Sequence, residues 1–379
     1  MDQPPKSKWG VPLHFDRIVT KSIPTSNRTL TATGTALTHP PTHPPTHPPT
    51  PTPTHTKPSV NASETRNTCV QPQSQSQSQS RPPTNNKISV VWRDKNLRKI
   101  FLDIISNSQF RLCKYLKSSF FDKMSALVLQ NCTDDKIYEE MHHWVHHTLS
   151  ERNRKDMLHN NTVYRSVNRA LKIKELVEKY INTKETVDYS KLNILDVGCA
   201  EGSITVMVGR YLQLSPENIH GCDIESRNDK YKDQFQFKHL NNNEPYVLPY
   251  DDQTFDVVLA LMSLHHIPNR VGMLSEIKRI LKPGGLLIIR EHNCISKGLE
   301  IVLDVVHGFY SMVWSEPKEM NDFNDYYAKY TSSDYLTKLI EKHGYIEKYN
   351  NRFNDYPRFY KGKIINPLNY YYAVYEKIA

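Results

Sequence analysis

From residue 192 to the end of the chain, short apolar runs alternate with longer segments of helical periodicity. Short, nearly all-apolar runs are typical of strands buried on both faces by intervening helices. We predict seven strands at Asn193–Val197, Ile219–Asp223, Phe235–Leu240, Phe255–Ala260, Gly285–Glu291, Ile346–Phe353 and Tyr370–Glu376. We predict the main helices between them near Ser203–Leu212, Val271–Leu281, Leu299–Val313 and Asp334–His343. The pattern indicates an α/β fold with a mostly parallel sheet, in which the last two strands pair antiparallel.

The first 86 residues differ in composition from the rest of the chain. They contain 16 of the 24 prolines, a Thr/His/Pro repeat from Thr38 to Thr56 and a Gln/Ser tract from Gln73 to Ser80. Such sequence buries too little apolar surface to offset the entropy of ordering it, so we predict a disordered tail over residues 1–86. Its prolines would suit recruitment of a protein partner, and the histidines of the repeat could bind metal ions weakly. A simple spacer is the alternative.

Two helical regions are predicted between the tail and the first strand. Residues 88–150 carry apolar residues at helical spacing and predict two to four helices. Residues 162–182 predict one amphipathic helix, which Thr162 could cap. We therefore divide the chain into a tail (1–86), a helical accessory region (87–161) and an α/β domain (162–379).

Charge and cysteine usage narrow the functional classes. Residues 1–86 account for +5 of the net charge of +9, so the other 293 residues carry only +4. This balance permits a nucleic-acid partner without requiring one. The six cysteines form no C-x-x-C pair, which argues against a zinc cluster or a disulfide scaffold. Because neither a secretory signal nor a long apolar run is visible, we expect an intracellular, cytoplasmic protein without a membrane span.

The segment ILDVGCAEGSITVMVGRYL, from Ile194 to Leu212, indicates a binding site. A buried strand ends at Val197, a loop of small residues follows, and a helix begins near Ser203. Glycines in such a loop permit a tight turn and close approach to a ligand, while the helix N-terminus presents unpaired N–H groups. Several classes of nucleotide-cofactor binder share this strand–loop–helix arrangement, so it is only moderately specific.

Three features separate this segment from a dinucleotide-binding loop. Asp196 lies in the turn from strand to loop, where its carboxylate could accept hydrogen bonds from the loop and orient a ligand's amino group. The small residues Gly198, Ala200 and Gly202 are spaced i, i+2 and i+4, whereas the dinucleotide loop spaces its glycines i, i+2 and i+5. Asp223 ends the next strand and could accept both hydroxyls of a ribose.

With these residues, the segment resembles motif I of the class I S-adenosylmethionine-dependent methyltransferases. Three later segments resemble that family in order: Leu248–Ile267 its fourth strand, Ile277–Asn293 its Pro-Gly-Gly turn and fifth strand, and Thr331–Asn350 its last helix and sixth strand. The resemblance implies a Rossmann-like sheet of order 3-2-1-4-5-7-6 with an antiparallel last strand, and S-adenosyl-L-methionine as cofactor. The stretch from Ile288 to Tyr330 is also similar, more loosely, to methyltransferases of large DNA viruses, some of them tied to messenger RNA capping.

The resemblance also implies roles for individual residues near the ends of the first four strands. The implied cofactor-binding residues are Asp196, Gly198, Ala200, Gly202, Asp223, Ile224, Asn242 and Leu261. The loop and Asp196 would contact the methionine part, with Ala200 where the family has its second glycine. Asp223 would hold the ribose and Ile224 would pack on the adenine. Residues 242–244 all remain candidates for the contact with the adenine amino group.

The acceptor side of the site would be formed by residues 261–266 and 291–293, which follow the fourth and fifth strands. His265 is the candidate proton acceptor because the ordinary pKa of histidine is about 6.5; the alternative is that it only packs and caps the strand end. We predict that an insert at residues 294–330 forms a lid over this pocket. Glu300, Asp304 and His307, spaced i, i+4 and i+7, could bind a metal or form a solvated face, and we predict no metal site.

Missing motifs argue against some acceptor classes. The Asp/Asn-Pro-Pro-Tyr/Phe signature of exocyclic-amine methylases is absent. No Pro-Cys pair occurs, which argues against methylation of a cytosine ring carbon. No aspartate ends the fourth strand, which argues against the Lys-Asp-Lys-Glu tetrad of ribose methylases. Three hypotheses remain. The first is methylation of a small molecule or lipid. The second is methylation of RNA or a cap nucleotide, which the basic balance and the 22 tyrosines would favour. The third is a non-catalytic methyltransferase-like scaffold with a proline-rich recruiting arm.

Overall fold

The computed structural model describes residues 86–107, 112–181, 188–225, 229–241, 247–314, 327–352, 359–360, 363–364 and 368–378. The predicted disordered tail, except for Asn86, and the adenine-contact candidates at 242–244 lie outside these ranges. Within the described ranges, none of the helices combines the length and the apolar character needed to span a membrane.

In this part of the chain, five helices precede the sheet. They are α1 (Lys87–Arg93), α2 (Lys95–Asn107), α3 (Leu112–Leu129), α4 (Asp134–Thr148) and α5 (Glu151–Tyr180). Helices α1 to α4 agree with the two to four helices predicted over residues 88–150. Helix α5 begins eleven residues before the predicted start, because the Ser150 hydroxyl accepts a hydrogen bond from the Asn153 amide at 3.3 Å. Thr162 lies inside α5, so its predicted role as the helix cap was wrong.

The predicted boundary between residues 161 and 162 also lies inside α5. Because one continuous helix crosses this position, no loop separates the accessory region from the α/β domain there. The division of the chain into those two regions stays a prediction.

Seven of the described strands form one sheet. In chain order, the strands are β1 (Ile194–Val197), β2 (Ile219–Asp223), β3 (Gln236–His239), β4 (Phe255–Leu261), β5 (Leu281–His292), β6 (Tyr345–Asn350), β7 (Phe359–Tyr360), β8 (Lys363–Ile364) and β9 (Tyr370–Lys377). The sheet has the order β3-β2-β1-β4-β5-β9-β6, and β7 pairs with β8 separately. Strand β9 is antiparallel to both of its neighbours, and the other pairs are parallel. Since β9 is the seventh strand of the sheet, the predicted order 3-2-1-4-5-7-6 is confirmed.

The remaining helices are α6 (Ser203–Leu212), α7 (Arg270–Ile280), α8 (Lys297–Trp314) and α9 (Ser333–Lys342). Their ends lie within two residues of the predicted ones. The clearest difference is in β5, which begins at Leu281 rather than Gly285. Leu281 pairs with Phe255 across a register shift in β4, and this irregular pairing extends the strand backwards through the Pro-Gly-Gly turn.

Alternate residues of each central strand face opposite sides of the sheet. In β4, Val257 and Leu259 pack with α5 and α6, whereas Val258 and Ala260 pack with α7 and α9. All four residues are fully buried, as expected for a sheet covered on both faces. The carboxyl ends of β1, β2, β4 and β5 therefore meet at one edge of the sheet.

A third core joins α1 to α4 with α8. Phe309 of α8 is fully buried, and its ring centroid lies 5.2 Å from that of Phe101, 5.9 Å from Phe120 and 5.3 Å from Tyr138. Truncation of such a ring typically costs about 3–5 kcal/mol. The apolar stripe of α8 is therefore core, and it fixes α8 against the four N-terminal helices.

Candidate functional site

The loop between β1 and α6 adopts left-handed backbone conformations at alternate residues. The φ angles are +76° at Gly198, +48° at Ala200 and +82° at Gly202. A Cβ atom on Gly202 would lie only 2.4 Å from the ring of Phe235, so glycine is needed there for both conformation and space. Ala200 is exposed, so its methyl group points into open space. The i, i+2, i+4 spacing of small residues is thus the spacing of the left-handed positions.

Asp196, at the end of β1, is only 2% exposed. Its Oδ2 atom accepts a hydrogen bond from the Thr205 hydroxyl at 2.6 Å, and its buried Oδ1 atom has no partner among the described residues. The hydrogen-bond donor to Asp196 is therefore the Thr205 hydroxyl of α6, and not a loop amide as we predicted. Burial raises the pKa of Asp196 to about 6, and the nearby charge of Asp223 adds to this effect. An unpaired buried carboxylate oxygen fits the ammonium group of the methionine part of S-adenosylmethionine.

Asp223 ends β2, next to the loop. Its Oδ2 atom accepts the Ala200 amide at 2.7 Å and its Oδ1 atom accepts the Glu225 amide at 3.0 Å. An ionised carboxylate has about four lone-pair sites, so each oxygen retains one for a ribose hydroxyl. Ile224 is 48% exposed beside it, which leaves its side chain accessible to an adenine ring. Leu261, at the end of β4, is buried.

A cavity of about 420 Å³ opens beyond the ends of β4 and β5. Its polar wall contains Arg169 of α5, His265 and His266 after β4, Arg290 of β5, His307 of α8, and Tyr330. Helix α8 belongs to the insert that we predicted to be a lid, and the rest of that insert lies largely outside the described residues. The lid stays a prediction, although α8 does line the cavity.

His265 and Glu291 form a buried pair beside this cavity. The Nδ1 atom of His265 lies 2.7 Å from Glu291 Oε2, and the His265 amide lies 3.3 Å from Oε1. Burial, together with the charges of His266, Arg270 and Arg290, holds the pKa of His265 well below its usual value, so the imidazole is neutral. Burial also raises the pKa of Glu291. When Glu291 is ionised, its carboxylate only accepts hydrogen bonds, so the proton of the neutral ring then lies on Nδ1 and the lone pair on Nε2.

His292 and the predicted triple of α8 have other partners. His292 Nδ1 lies 2.7 Å from the Leu368 carbonyl, and burial lowers the pKa of His292 to about 3. The members of the triple contact three different groups: Glu300 contacts Lys297 at 2.9 Å, Asp304 contacts Lys87 at 2.5 Å, and His307 contacts the Tyr330 hydroxyl at 2.7 Å. They therefore do not form a shared site.

Arg290 is a cavity residue that our sequence interpretation missed. It is 7% exposed, its Nη1 atom has no hydrogen-bond partner among the described residues, and its guanidinium carbon lies 3.7 Å from the centroid of the Tyr370 ring. A buried cation with an unpaired nitrogen is costly unless an anion can reach it. The signal was present in the sequence, because Arg290 interrupts the otherwise apolar run GLLIIR of β5.

Comparison with known proteins finds similarity to methyltransferases. Residues 195–289 match the model of a methyltransferase domain. The chain is 36% identical over 103 residues to 27-O-demethylrifamycin SV methyltransferase of Amycolatopsis mediterranei, covering 25% of this chain and 37% of that protein. It is 27% identical over 164 residues to demethylmenaquinone methyltransferase of Lactobacillus johnsonii, covering 40% of this chain and 66% of that protein. A solved S-adenosylmethionine-dependent methyltransferase of Methanosarcina mazei has a TM-score of 0.37 and 19% identity, covering 54% and 97% of the two chains.

The match thus spans about one to two thirds of the length of these two curated relatives. The resemblance to methyltransferases of large DNA viruses stays a prediction. The matched residues contain the β1 loop, Asp223 and the whole of β4, within a sheet of the strand order that the family resemblance implied. Residues 195–289 thus resemble a methyltransferase domain, and the sheet that contains them has the strand order of the class I S-adenosylmethionine-dependent methyltransferases.

Proposed function

We propose that this protein transfers the methyl group of S-adenosylmethionine to a small organic acceptor that carries an anionic group. The acceptor would bind in the cavity between the ends of β4 and β5 and helix α8. The observation that carries this proposal is the buried guanidinium of Arg290, whose Nη1 atom has no partner among the described residues beside the cavity. A carboxylate, phosphate or phenolate would pair with it.

We propose that Asp196 and Asp223 bind the methyl donor, S-adenosylmethionine. The orphaned Oδ1 atom of Asp196 would hold the ammonium group of the donor, and Asp223 would accept the two ribose hydroxyls. Ile224 is exposed beside Asp223 and would pack on the adenine. The left-handed loop from Gly198 to Gly202 lets the backbone approach the methionine part without interference from side chains.

The size of the acceptor cavity supports a small molecule. A volume of about 420 Å³ lies within the range of roughly 300–1,000 Å³ that is usual for small-ligand pockets. The names of the two relatives described above also refer to small organic substrates. The RNA hypothesis has support in another relative, a tRNA U34 carboxymethyltransferase of Nautilia profundicola, 31% identical over 114 residues.

Methyl transfer is a displacement in which the bond from sulfur to the methyl carbon breaks as the bond from the acceptor to that carbon forms. The products are S-adenosylhomocysteine and the methylated acceptor. The protein mainly aligns the two reactants. If the acceptor atom is a hydroxyl, His265 would take its proton at Nε2 while Glu291 holds the ring through Nδ1.

Calorimetry with the full chain tests the donor site. S-adenosylmethionine and S-adenosylhomocysteine should both bind, whereas NADH should not. Asp223→Ala should weaken binding by about 1.5–3 kcal/mol, because it removes a charge-assisted contact. Asp251→Ala, at an exposed acid, is the matched control and should bind as the wild type does. Absence of donor binding by a folded chain would contradict the proposal and favour the scaffold hypothesis.

A panel of acceptors tests the other half of the proposal. Formation of S-adenosylhomocysteine is measured with carboxylates, phosphates and phenols, their neutral analogues, and a capped RNA. Arg290→Met should raise KM for the anionic acceptor by at least roughly 10-fold and leave donor affinity unchanged. Arg210→Met, at an exposed arginine, is the control. Turnover with capped RNA alone would replace the small-molecule proposal with the RNA hypothesis.

A further inference from the structure

We propose that His265, His266 and His307 bind a divalent transition metal of the zinc class in the wall of the acceptor cavity. One ring nitrogen from each histidine lies within 4.8 Å of those of the other two. The first two residues follow β4, and the third comes from α8, about 40 residues later in the chain. The proposal goes beyond the proposed function, because metal binding requires neither the methyl donor nor the acceptor.

Each of the three imidazoles has an oxygen atom within hydrogen-bonding distance of its Nδ1 atom. The oxygen atoms are Glu291 Oε2 at 2.7 Å from His265, the Tyr327 carbonyl at 2.9 Å from His266, and the Tyr330 hydroxyl at 2.7 Å from His307. The Tyr330 hydroxyl in turn donates to the Leu303 carbonyl at 3.4 Å, so it can accept from His307. A neutral ring that donates from Nδ1 carries its lone pair on Nε2, the nitrogen needed for a metal. Metal-binding histidines are typically held by such outer hydrogen bonds.

The supporting groups are of the kind found around catalytic metal centres. A buried carboxylate behind His265 makes the imidazole a better ligand and offsets part of the positive charge of a metal ion. Arg270 and Arg290 oppose a bound cation, and an anionic acceptor placed between the metal and Arg290 would relieve this repulsion.

The geometry requires a small contraction. Zinc binds imidazole nitrogen at roughly 2.0–2.1 Å, so two ligand nitrogens in a tetrahedral site lie roughly 3.3 Å apart. The nitrogens of this cluster must therefore approach one another by up to roughly 1.5 Å. His266 and His307 are half-buried and line the open cavity, so their rings have room for this movement.

Three protein ligands leave the fourth position of a tetrahedral metal open, as in catalytic zinc sites. All three histidines line the cavity, so a water molecule or an oxygen of the acceptor in the cavity could occupy that position. A metal-bound hydroxyl loses its proton more easily, and the proton would pass to solvent. In that state His265 is a metal ligand, and it no longer serves as the proton acceptor.

Cobalt(II) is the probe for this site, because it replaces zinc and gives intense visible absorption only in tetrahedral coordination. Titration of the full chain should show one equivalent bound with such bands. His307→Ala and His266→Ala should each weaken binding by at least roughly 10- to 100-fold, since even outer-shell changes have effects of this size. His239→Ala, at an exposed histidine, should bind as the wild type does. Should His307→Ala fail to fold, His307→Gln should fold and still lose the metal.

Histidines of the proline-rich repeat provide a second control. Replacement of His39, His43, His47 and His55 by asparagine should leave the visible bands unchanged. Loss of the bands in that variant would assign the metal to the tail and overturn the proposal. Wild-type absorption in His307→Ala, or no tetrahedral cobalt in the wild type, would also overturn it. Calorimetric binding of S-adenosylmethionine, measured on the same samples, reports the donor site separately, so failure of one proposal is distinguishable from failure of the other.

Discussion

The Nδ1 atom of His265 lies 2.7 Å from the Oε2 atom of Glu291, and both side chains are buried. Glu291 lies near the carboxyl end of β5, and His265 lies in the short 3-10 turn that follows β4. Because β4 and β5 are parallel neighbours, their carboxyl ends meet, and the pair connects two walls of the acceptor cavity. The carboxylate orients the imidazole whether His265 accepts a proton or binds a metal.

Glu291→Gln should therefore impair turnover without affecting donor binding. The amide keeps the shape of the side chain but can offer an NH2 group to Nδ1, which would favour the wrong tautomer of His265. We expect kcat for methyl transfer to fall by roughly 10- to 100-fold, with KM for S-adenosylmethionine unchanged. The comparison uses steady-state kinetics with the acceptor found in the panel. Glu341→Gln, at an exposed glutamate, serves as the control. Unchanged kcat in Glu291→Gln would remove the pair from the mechanism.

Asp196 should make the donor-free protein less stable as pH rises. Its pKa is raised from 3.8 to about 6 in the folded state, so the unfolded chain releases this proton at lower pH than the folded chain does. The neutral, buried Asp196 carboxyl therefore contributes its full share of the free energy of unfolding below about pH 4. This contribution is lost as the pH rises through about 6. The difference of about two pKa units corresponds to about 3 kcal/mol.

Asp196→Asn removes this titration and keeps an acceptor for the Thr205 hydroxyl. Without donor, the variant should be up to about 3 kcal/mol more stable than the wild type at pH 7.5, and the gain should nearly vanish at pH 4. Its affinity for S-adenosylmethionine should nevertheless fall. Urea denaturation at the two pH values and calorimetry measure both effects, with Asp251→Asn as the control. A variant less stable than the wild type at pH 7.5 would contradict the explanation.

Gly202→Ala should destabilise the protein more than Gly284→Ala does. Both glycines have positive φ angles, +82° and +74°, so alanine is strained at either position. At residue 284, however, nothing lies within 4 Å of an added Cβ atom, whereas at residue 202 the ring of Phe235 lies 2.4 Å away. We expect a loss of about 1 kcal/mol for Gly284→Ala and about 1–3 kcal/mol more for Gly202→Ala. Equal denaturant midpoints for the two variants would show that Phe235 moves aside without cost.

Asp134→Ala should detach the first helix from the accessory core. The Asp134 carboxylate, 2% exposed, accepts the Lys87 amide at 2.7 Å and the Ile88 amide at 3.0 Å. Its loss leaves two N–H groups at the start of α1 without their acceptor, which should cost about 2–4 kcal/mol. Asp135→Ala, at the exposed neighbour, should cost less than about 0.5 kcal/mol. Hydrogen exchange should quicken first at the amides of α1, and unchanged protection there would argue against this capping role.

The architecture of the α/β part and its donor loop could be predicted from the sequence. Strand and helix periods are local properties, since neighbours along the chain decide whether a run is apolar on one face or on both. Gly198 and Gly202 indicated a tight turn for the same local reason. Asp196 and Asp223 could be placed at one edge because parallel strands bring their carboxyl ends together. The family resemblance supplied the strand order, which the pairing of β9 between β5 and β6 confirms.

The arrangement of residues on the acceptor side could not be predicted from the sequence, because it depends on contacts between distant segments. His307 approaches His265 and His266 because Phe309, two residues later in α8, packs into the core of the N-terminal helices. Whether the Nη1 atom of Arg290 has a hydrogen-bond partner depends on the groups that surround it in the fold. The spacing of residues along the chain does not specify those groups. Ser150 and Thr162 are both plausible caps in a polar stretch, and the structure shows that Ser150 caps helix α5. Local propensities differ by less than about 1 kcal/mol, so contacts between distant segments decide among such alternatives.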